Sequence, residues 1–463
     1  MELKRKINNW LNNWKNIPDH KPALIKGIRQ SGKTYSVRHF AAQHYKNVIY
    51  LNFMSNPSLT EIFSGSLTIN ELLPLISAHF PNTIFEPKTT VFIFDEIQEC
   101  PRARLSLKEF FLDKRFDIIS TGSFLGIKGY ISDDSTPLPV GYEDSYTMKT
   151  LDFEEFLWAN GYTEQHINVL RKCFAEKKPL AKSLFDVYSG LFKQYLCIGG
   201  FPEVVDVFLS THNISLAQRT LHNISEDLQN DFGRRKGKAG KNSFQLNEVA
   251  RIRNAYDLIP FFLGKENKRY IVSKIGGIGN QSSKNDALEY LCDAGIISKS
   301  FNLSIPSIPL KTNEIYKQFK IYPNDIGLLV SSLEEGTTQA ILSGQLGQAK
   351  GLLYESLVAD SLLKNDVPLF YFSKTSGLEI DFVINYEVVS TLLEVKAENG
   401  TAKSAKTVLQ NKEHYGQTRL ICIKNKNIGF ENGVFTIPLF LTFLLNNNKD
   451  IIAEDYTIKK AKL

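Results

Sequence analysis

Eight residues constrain the fold more than any others: Gly27-Ile28-Arg29-Gln30-Ser31-Gly32-Lys33-Thr34, which fit the spacing G-x-x-x-x-G-K-[ST]. The apolar run Ala23-Leu24-Ile25 before them reads as a short buried strand, and Tyr35 to Tyr45 after them as a helix. A loop in that setting turns backbone N–H groups inward around phosphate oxygens at the positive end of the following helix. Gly27 and Gly32 permit the backbone angles and the close approach that this requires. Lys33 is expected to reach the β- and γ-phosphates and Thr34 to place its hydroxyl on Mg²⁺. Gly27, Arg29, Gln30, Ser31, Gly32, Lys33, Thr34 and Tyr35 therefore form the candidate nucleotide-binding set.

A second stretch completes the pattern. Thr90-Val91-Phe92-Ile93-Phe94 is almost wholly apolar, as suits a central parallel strand covered on both faces, and it runs into Asp95-Glu96. Acids at the carboxyl end of such a strand lie where open α/β sheets bind ligands. Asp95 is expected to hold Mg²⁺, directly or through water, and Glu96 to polarise the water that attacks the γ-phosphate. The strand Phe116 to Ser123 also ends in small polar residues, and Ser123 or Thr121 is placed to sense the γ-phosphate. Arg102, Arg104 and Arg115 are candidate arginine fingers. No Asn-Lys-x-Asp base-reading motif occurs, which favours ATP over GTP.

At 463 residues the chain exceeds what one hydrophobic core serves, so two to four domains are expected. A hydrophobic content of 43% with 22% charged residues is that of a globular protein and does not suggest disorder. The net charge of +6 permits a nucleic-acid partner without arguing for one. Five cysteines, scattered singly, fit a reducing cytoplasm better than a disulfide framework or a metal site. The basic start Met1 to Lys6 lacks a following apolar run, so no signal peptide is expected. The apolar stretch Ile437 to Leu445 is too short to span a bilayer, and no membrane association is expected.

Residues 1–20 read as an amphipathic helix, with Trp10, Leu11 and Trp14 near one face. Residues 160–230 read as mainly helical, interrupted by the turn Gly199-Gly200-Phe201-Pro202. The basic segment Gly233 to Lys241 reads as a solvated loop, or as a phosphate-contacting arm if it lies beside a DNA-binding module. Helices followed by a strand pair over 244–305 have the pattern of a winged helix.

The last region carries a second candidate site. Glu355 lies in the helical run Gly347 to Leu363; Leu378 to Ile384 reads as one alternating strand with Glu379, Asp381 and Val383 on one face; Glu394 and Lys396 share a face of the next strand. Glu355, Asp381, Glu394 and Lys396 are thus expected to converge. Three carboxylates can hold one or two Mg²⁺ through oxygen ligands, with the lysine orienting or activating water. Glu355, Asp381 and Glu394 are the candidate metal ligands here, beside Thr34 and Asp95 at the first site.

The Gly27–Thr34 loop, the strand running into Asp95-Glu96-Ile97-Gln98, and Ser120-Thr121-Gly122-Ser123 resemble a prokaryotic AAA-superfamily ATPase. Leu151 to Phe156 and Tyr195 to Glu203 resemble the segments that follow the core in that family. Where much of the family has an arginine after a glycine, Tyr142 follows Gly141, so that arginine's role does not transfer. The resemblance implies a C-terminal domain similar to the PD-(D/E)XK nucleases, with Asp381, Glu394 and Lys396 in its catalytic positions beside the ATPase pair Lys33 and Glu96.

The fold expected is α/β: a P-loop NTPase parallel sheet over 1–160, a helical lid over 161–232, a winged-helix-like region over 233–340, and a restriction-endonuclease-like α/β domain over 341–463. The activity expected is ATP hydrolysis with Mg²⁺, coupled to a nuclease-like domain that acts on or binds DNA or RNA in the cytoplasm. Further copies of the chain are considered as partners. The alternative is a nucleotide-dependent switch whose C-terminal domain is a non-catalytic binding module.

Overall fold

A computed structural model describes residues 2–81, 83–127, 141–232, 246–277, 279–347, 349–396 and 402–446. The basic segment 233–241 and the lysines of the C-terminal tail lie outside the described residues. The chain forms two compact units. One comprises 1–151, 200–257 and 272–296; the other comprises 152–199, 258–271 and 297–463.

The first unit is built on a five-stranded sheet of β1 (Ala23–Gly27), β2 (Asn47–Asn52), β3 (Thr90–Asp95), β4 (Asp117–Ser123) and β5 (Asp144–Met148), in the order β2-β3-β4-β1-β5. Every pairing is parallel, so every carboxyl end points the same way. Val91 to Phe94 of β3 are wholly buried because both faces of the sheet are covered. One face packs Phe53, Phe63, Phe94 and Phe110 together. The other packs Ile25, Val37, Phe40 and Ile93 against Ile7, Leu11 and Trp14 of the helix Lys6–Asn16. Because β4 lies between β1 and β3, the loop after β1 and the acids after β3 flank the polar end of β4.

The second unit holds two sheets. β6 (Ile297–Leu303), β7 (Glu314–Pro323), β8 (Phe370–Ser373) and β9 (Glu379–Ile380) form one, in the order β7-β6-β8-β9. β10 (Phe382–Tyr386), β11 (Val389–Lys396), β12 (Thr418–Lys424), β13 (Gly429–Glu431) and β14 (Val434–Pro438) form the other, in the order β10-β11-β12-β14-β13. Its centre is parallel and both its edges are antiparallel. Lys364, with its side chain 1% exposed, is ion-paired with Asp325 at 3.0 Å and Asp360 at 2.9 Å, and donates to the Tyr195 hydroxyl at 2.8 Å. A buried ammonium requires this full set of acceptors.

Several expectations are revised. The helices Glu164–Ala175 and Lys182–Ile198 belong to the second unit, whereas Pro202–Thr211 and Ile214–Asn230 belong to the first; residues 161–232 are thus not one lid. The winged-helix pattern has its strand pair, β6–β7, but that pair continues into β8 and β9, and the preceding helix Gln281–Asp293 lies in the other unit. The single strand Leu378 to Ile384 is two strands, β9 and β10, in different sheets, with Asp381 at the break. Gly199-Gly200 has a packing role. A Cβ on Gly199 would stand 2.2 Å from Asp325 Oδ1, and one on Gly200 2.0 Å from the Leu151 carbonyl oxygen.

Gly27 closes β1 against its neighbour so tightly that a Cβ would fall 2.3 Å from the Met148 carbonyl oxygen, whereas one on Gly65 would meet nothing within 4 Å. Gly27→Ala is therefore expected to destabilise the first unit by about 1–3 kcal/mol, and Gly65→Ala to leave it nearly unchanged. Equal melting temperatures for the two variants would contradict this packing.

Candidate functional site

The loop after β1 is held in shape from within. Gln30 (φ 61°) and Gly32 (φ 89°) lie in the left-handed region, and the helix Lys33–His44 starts at once after them. Ser31 Oγ donates to the Ile28 carbonyl at 2.9 Å. Lys33 is buried, and its ammonium donates to the carbonyls of Ile28 at 2.8 Å and Gly27 at 3.2 Å. Burial depresses the Lys33 pKa to about 8; Glu96 and Asp95 oppose that shift and Arg29 adds to it. From behind, Arg5 donates to the carbonyls of Ser31 at 3.0 Å and Lys149 at 2.7 Å.

Asp95 ends β3 and is 1% exposed. One oxygen accepts from Thr34 Oγ1 at 2.9 Å and from the Thr121 hydroxyl; the other accepts from the Tyr50 hydroxyl at 2.5 Å and Asn52 Nδ2 at 2.8 Å. The next residue, Glu96, takes a left-handed backbone (φ 54°), and its N–H donates to Thr121 Oγ1 at 3.3 Å. Its carboxylate accepts from the Gln98 amide. Gly122 and Gly126 leave room for Gln98: a Cβ on either would lie under 3 Å from its side chain.

Of the two candidates on β4, Thr121 touches the acids. Ser123 instead accepts from the Gly126 N–H at 3.3 Å, at the start of a short helical turn. The three candidate fingers have other partners: Arg102 donates to the Phe63 and Gly65 carbonyls, Arg104 pairs with Glu143, and Arg115 pairs with Asp113.

A cavity of 590 Å³ opens above the loop, lined by Arg29, Gln30, Gly32, Lys33, Thr34, Tyr35 and Glu96 on one side. Asp227, Leu228, Asn230 and Asp231, around the end of the helix Ile214–Asn230, line the other side. Asp231 is ion-paired with Arg29, and Gln30 Nε2 donates to Asp227 Oδ2 at 3.3 Å. Two loop side chains expected on phosphate thus face carboxylates. Tyr50, Asn52, Asp227 and Asp231 were absent from the candidate set. A hint lay in the strand content of Asn47 to Phe53 for the first pair, and in nothing local for the second.

The donor set suits a hard divalent cation, because Thr34, which lines the cavity, places its Oγ1 2.9 Å from Oδ1 of the buried Asp95. Thr34 and Asp95 are the residues that would hold Mg²⁺, and the cavity is of a size that ligands fill.

The C-terminal carboxylates differ. Glu355, on the helix Ala349–Lys364, is 2% exposed and accepts from the Lys268 ammonium, from Lys320 Nζ at 3.2 Å and from the Tyr322 hydroxyl. Burial alone would raise its pKa, but Lys320 and Lys268 outweigh burial and hold it at about 2. Lys320, wholly buried on β7, also donates to Glu379 Oε1 at 3.0 Å. Asp381 Oδ2 accepts from the Val395 N–H at 2.8 Å, and Glu394 is ion-paired with Lys396 at 2.7 Å. Burial, with Glu355 and Glu394 nearby, pushes Asp381 up to about 7. Among the described residues no group of three or more His, Cys, Asp or Glu is arranged to hold a metal ion. Glu355, expected as a metal ligand, faces two ammonium groups instead, and these residues do not fit a bound metal. Lys268, Lys320 and Tyr322 were missed because they come from distant segments.

Compared with known proteins, residues 19–157 match the family model described as AAA domain, a span that includes Gly27–Thr34, Asp95 and Glu96. Residues 189–339 and 350–441 match two models, each described as a domain of unknown function. An uncharacterized protein of Methanocaldococcus jannaschii is 25% identical over 395 residues, covering 83% of this chain and 77% of that protein. Among solved structures, the Aeropyrum pernix ORC2 protein in ADPNP–ADP complexes is 12% identical, with 73% of this chain and 91% of that one covered and a TM-score of 0.31. AMPPCP-bound DnaA from Aquifex aeolicus is 11% identical, with 75% and 90% covered and a TM-score of 0.27. No helix among the described residues is long and apolar enough to cross a membrane.

Lys33 must carry its proton to bind phosphate, so with its pKa at about 8 the free protein has to take up a proton above that pH. Nucleotide affinity is expected to weaken as pH rises through 8, approaching tenfold per unit. Lys33→Met should bind weakly with no such slope, and a flat wild-type profile from pH 7 to 9 would contradict the assignment. Asp381 titrates near 7 when folded against 3.8 ordinarily, so the folded state favours its neutral form. Its contribution to stability falls as pH rises from about 4 to 7. Asp381→Asn, neutral throughout, should raise the melting temperature relative to wild type by more at pH 8 than at pH 5. An equal shift at both would refute it.

Proposed function

We propose that this chain binds ATP with Mg²⁺ at Gly27–Thr34 and hydrolyses it, and that its C-terminal region engages DNA or RNA. The observation that carries the first part is the 2.9 Å hydrogen bond from Thr34 to Asp95, with Glu96 in the same cavity as Lys33. The hydroxyl after the loop lysine and the acid at a central strand end meet there within an AAA domain. Lys33 is the loop's buried cation, and its ammonium exchanges the Gly27 and Ile28 carbonyls for β- and γ-phosphate oxygens. Bound Mg²⁺ would neutralise charge on the same phosphates. Glu96 orients the attacking water and accepts its proton on a carboxylate oxygen, once its bond to the Gln98 amide is released. The carboxylates of Asp227 and Asp231 repel a polyanion, so phosphate must draw Arg29 and Gln30 away from them. With Arg102, Arg104 and Arg115 committed within the chain, an arginine from a second copy would complete the site.

For the C-terminal region, the resemblance to nucleases favours a nucleic-acid partner, whereas the paired state of Glu355 favours binding without cleavage. That is the second reading, a nucleotide-driven switch, and Lys268 and Lys320 are what support it.

ATP hydrolysis and strand cleavage are measured in one tube, with single- and double-stranded DNA and RNA and with Mg²⁺ or Mn²⁺. Lys33→Ala should lose hydrolysis, and Glu96→Gln should lose hydrolysis by about 100-fold or more while still binding ATP. No strand should be cut. Hydrolysis persisting in Lys33→Ala would remove the ATPase assignment, and cleavage abolished by Asp381→Ala would replace the switch with a nuclease.

A further inference from the structure

The second unit contains another cavity, of 550 Å³, at the end of the β10–β11–β12 ladder opposite to Asp381, Glu394 and Lys396. Tyr386 closes β10 there and Arg419 is the second residue of β12, whereas Asp381 precedes β10 and Lys396 ends β11. Its wall combines rings and cations. Phe174 and Phe435 stand edge to face at 5.2 Å. Phe430, on the edge strand β13, is 50% exposed. Lys177, just past the helix Glu164–Ala175, places its ammonium 4.1 Å above the Phe430 ring and 5.7 Å from that of Phe435.

The charges are unequal in their partners. Arg171 is answered by Glu154 and Glu164, and Arg419 by Glu387 at 2.6 Å. Among the described residues Lys177 forms no ion pair. Glu387 and Val388 form a two-residue turn with both φ values positive (51° and 60°), although Val is a costly residue there and is 72% exposed. That turn carries the carboxylate that holds Arg419 over the Tyr386 ring.

We propose that this cavity binds a nucleobase together with its phosphate, either as a free nucleotide or within a single strand. An acidic peptide would satisfy Lys177 but leave the rings without a planar partner. An apolar ligand would bury the ammonium unpaired. A base stacked against Phe430, with its phosphate on Lys177, satisfies both, and stacking of this kind accepts any unpaired base. The volume suits a small ligand. The inference rests on the nucleic-acid reading of the C-terminal region and is independent of ATP hydrolysis.

The test is fluorescence anisotropy of a labelled oligothymidylate of about ten nucleotides, with thymidine monophosphate as competitor. Wild type, Phe430→Ala, Lys177→Glu, Lys33→Ala and Asp381→Ala are compared, each with its melting temperature and ATPase rate. Phe430→Ala and Lys177→Glu should each weaken binding about tenfold or more while melting and ATPase rate stay at wild-type values. Lys33→Ala should bind as wild type. Competition by the monophosphate at micromolar concentration assigns a free nucleotide; competition by unlabelled oligomer alone assigns a strand. Binding that survives both pocket substitutions overturns the inference, as does wild-type protein that binds neither ligand. Binding lost only in Asp381→Ala keeps the nucleic-acid partner and removes this pocket.

Discussion

One buried carboxylate organises the nucleotide site. Asp95 accepts four hydrogen bonds, from Thr34, Tyr50, Asn52 and Thr121. These donors come from the helix after β1 and from the ends of β2 and β4, so a single side chain ties the loop to three adjacent strands. A buried carboxylate needs such partners, and they in turn hold the loop, Thr121 and the Glu96 backbone in one frame. The strand order β2-β3-β4-β1 makes the arrangement possible, because it places β4 between loop and acid.

Electrostatic balance explains the rest of the site. Lys33 is held by neutral carbonyls and gives up part of its affinity for a proton to burial. Arg29 and Gln30 are held by Asp231 and Asp227 across the cavity. Each of these cationic or amide groups is thus satisfied within the chain, and the proposed nucleotide binding would be an exchange of partners rather than a filling of open valences. The same logic separates the C-terminal cluster from a metal centre. Two lysines supply Glu355 with the positive charge that a cation would bring.

What the sequence made legible was local. Gly27–Thr34 and the strand into Asp95-Glu96 are short patterns whose chemistry is carried by neighbours in the chain, and β1, β3 and the helix Lys33–His44 form around them. What it concealed was long-range. Asp227 meets Gln30 across 197 positions, and Lys268 meets Glu355 across 87, with no spacing rule to announce either. The stretch Leu378 to Ile384 shows a subtler limit. Alternation with period two describes a strand but not which sheet it joins, and the change of sheet at Asp381 leaves both neighbours, Ile380 and Phe382, fully buried. Ser123 looked equivalent to Thr121 in sequence, and only the direction of each side chain separates them.

The proposed role of Thr34 and Asp95 is to hold the cation that accompanies the nucleotide. Its most direct measurement is the dissociation constant of ATP for wild type and Asp95→Asn, each with Mg²⁺ and with EDTA, in protein of verified melting temperature. Wild type is expected to bind about tenfold or more tightly with Mg²⁺, and Asp95→Asn to bind equally weakly in both. Wild-type affinity that ignores Mg²⁺, or a Mg²⁺ effect retained in full by Asp95→Asn, would contradict that role.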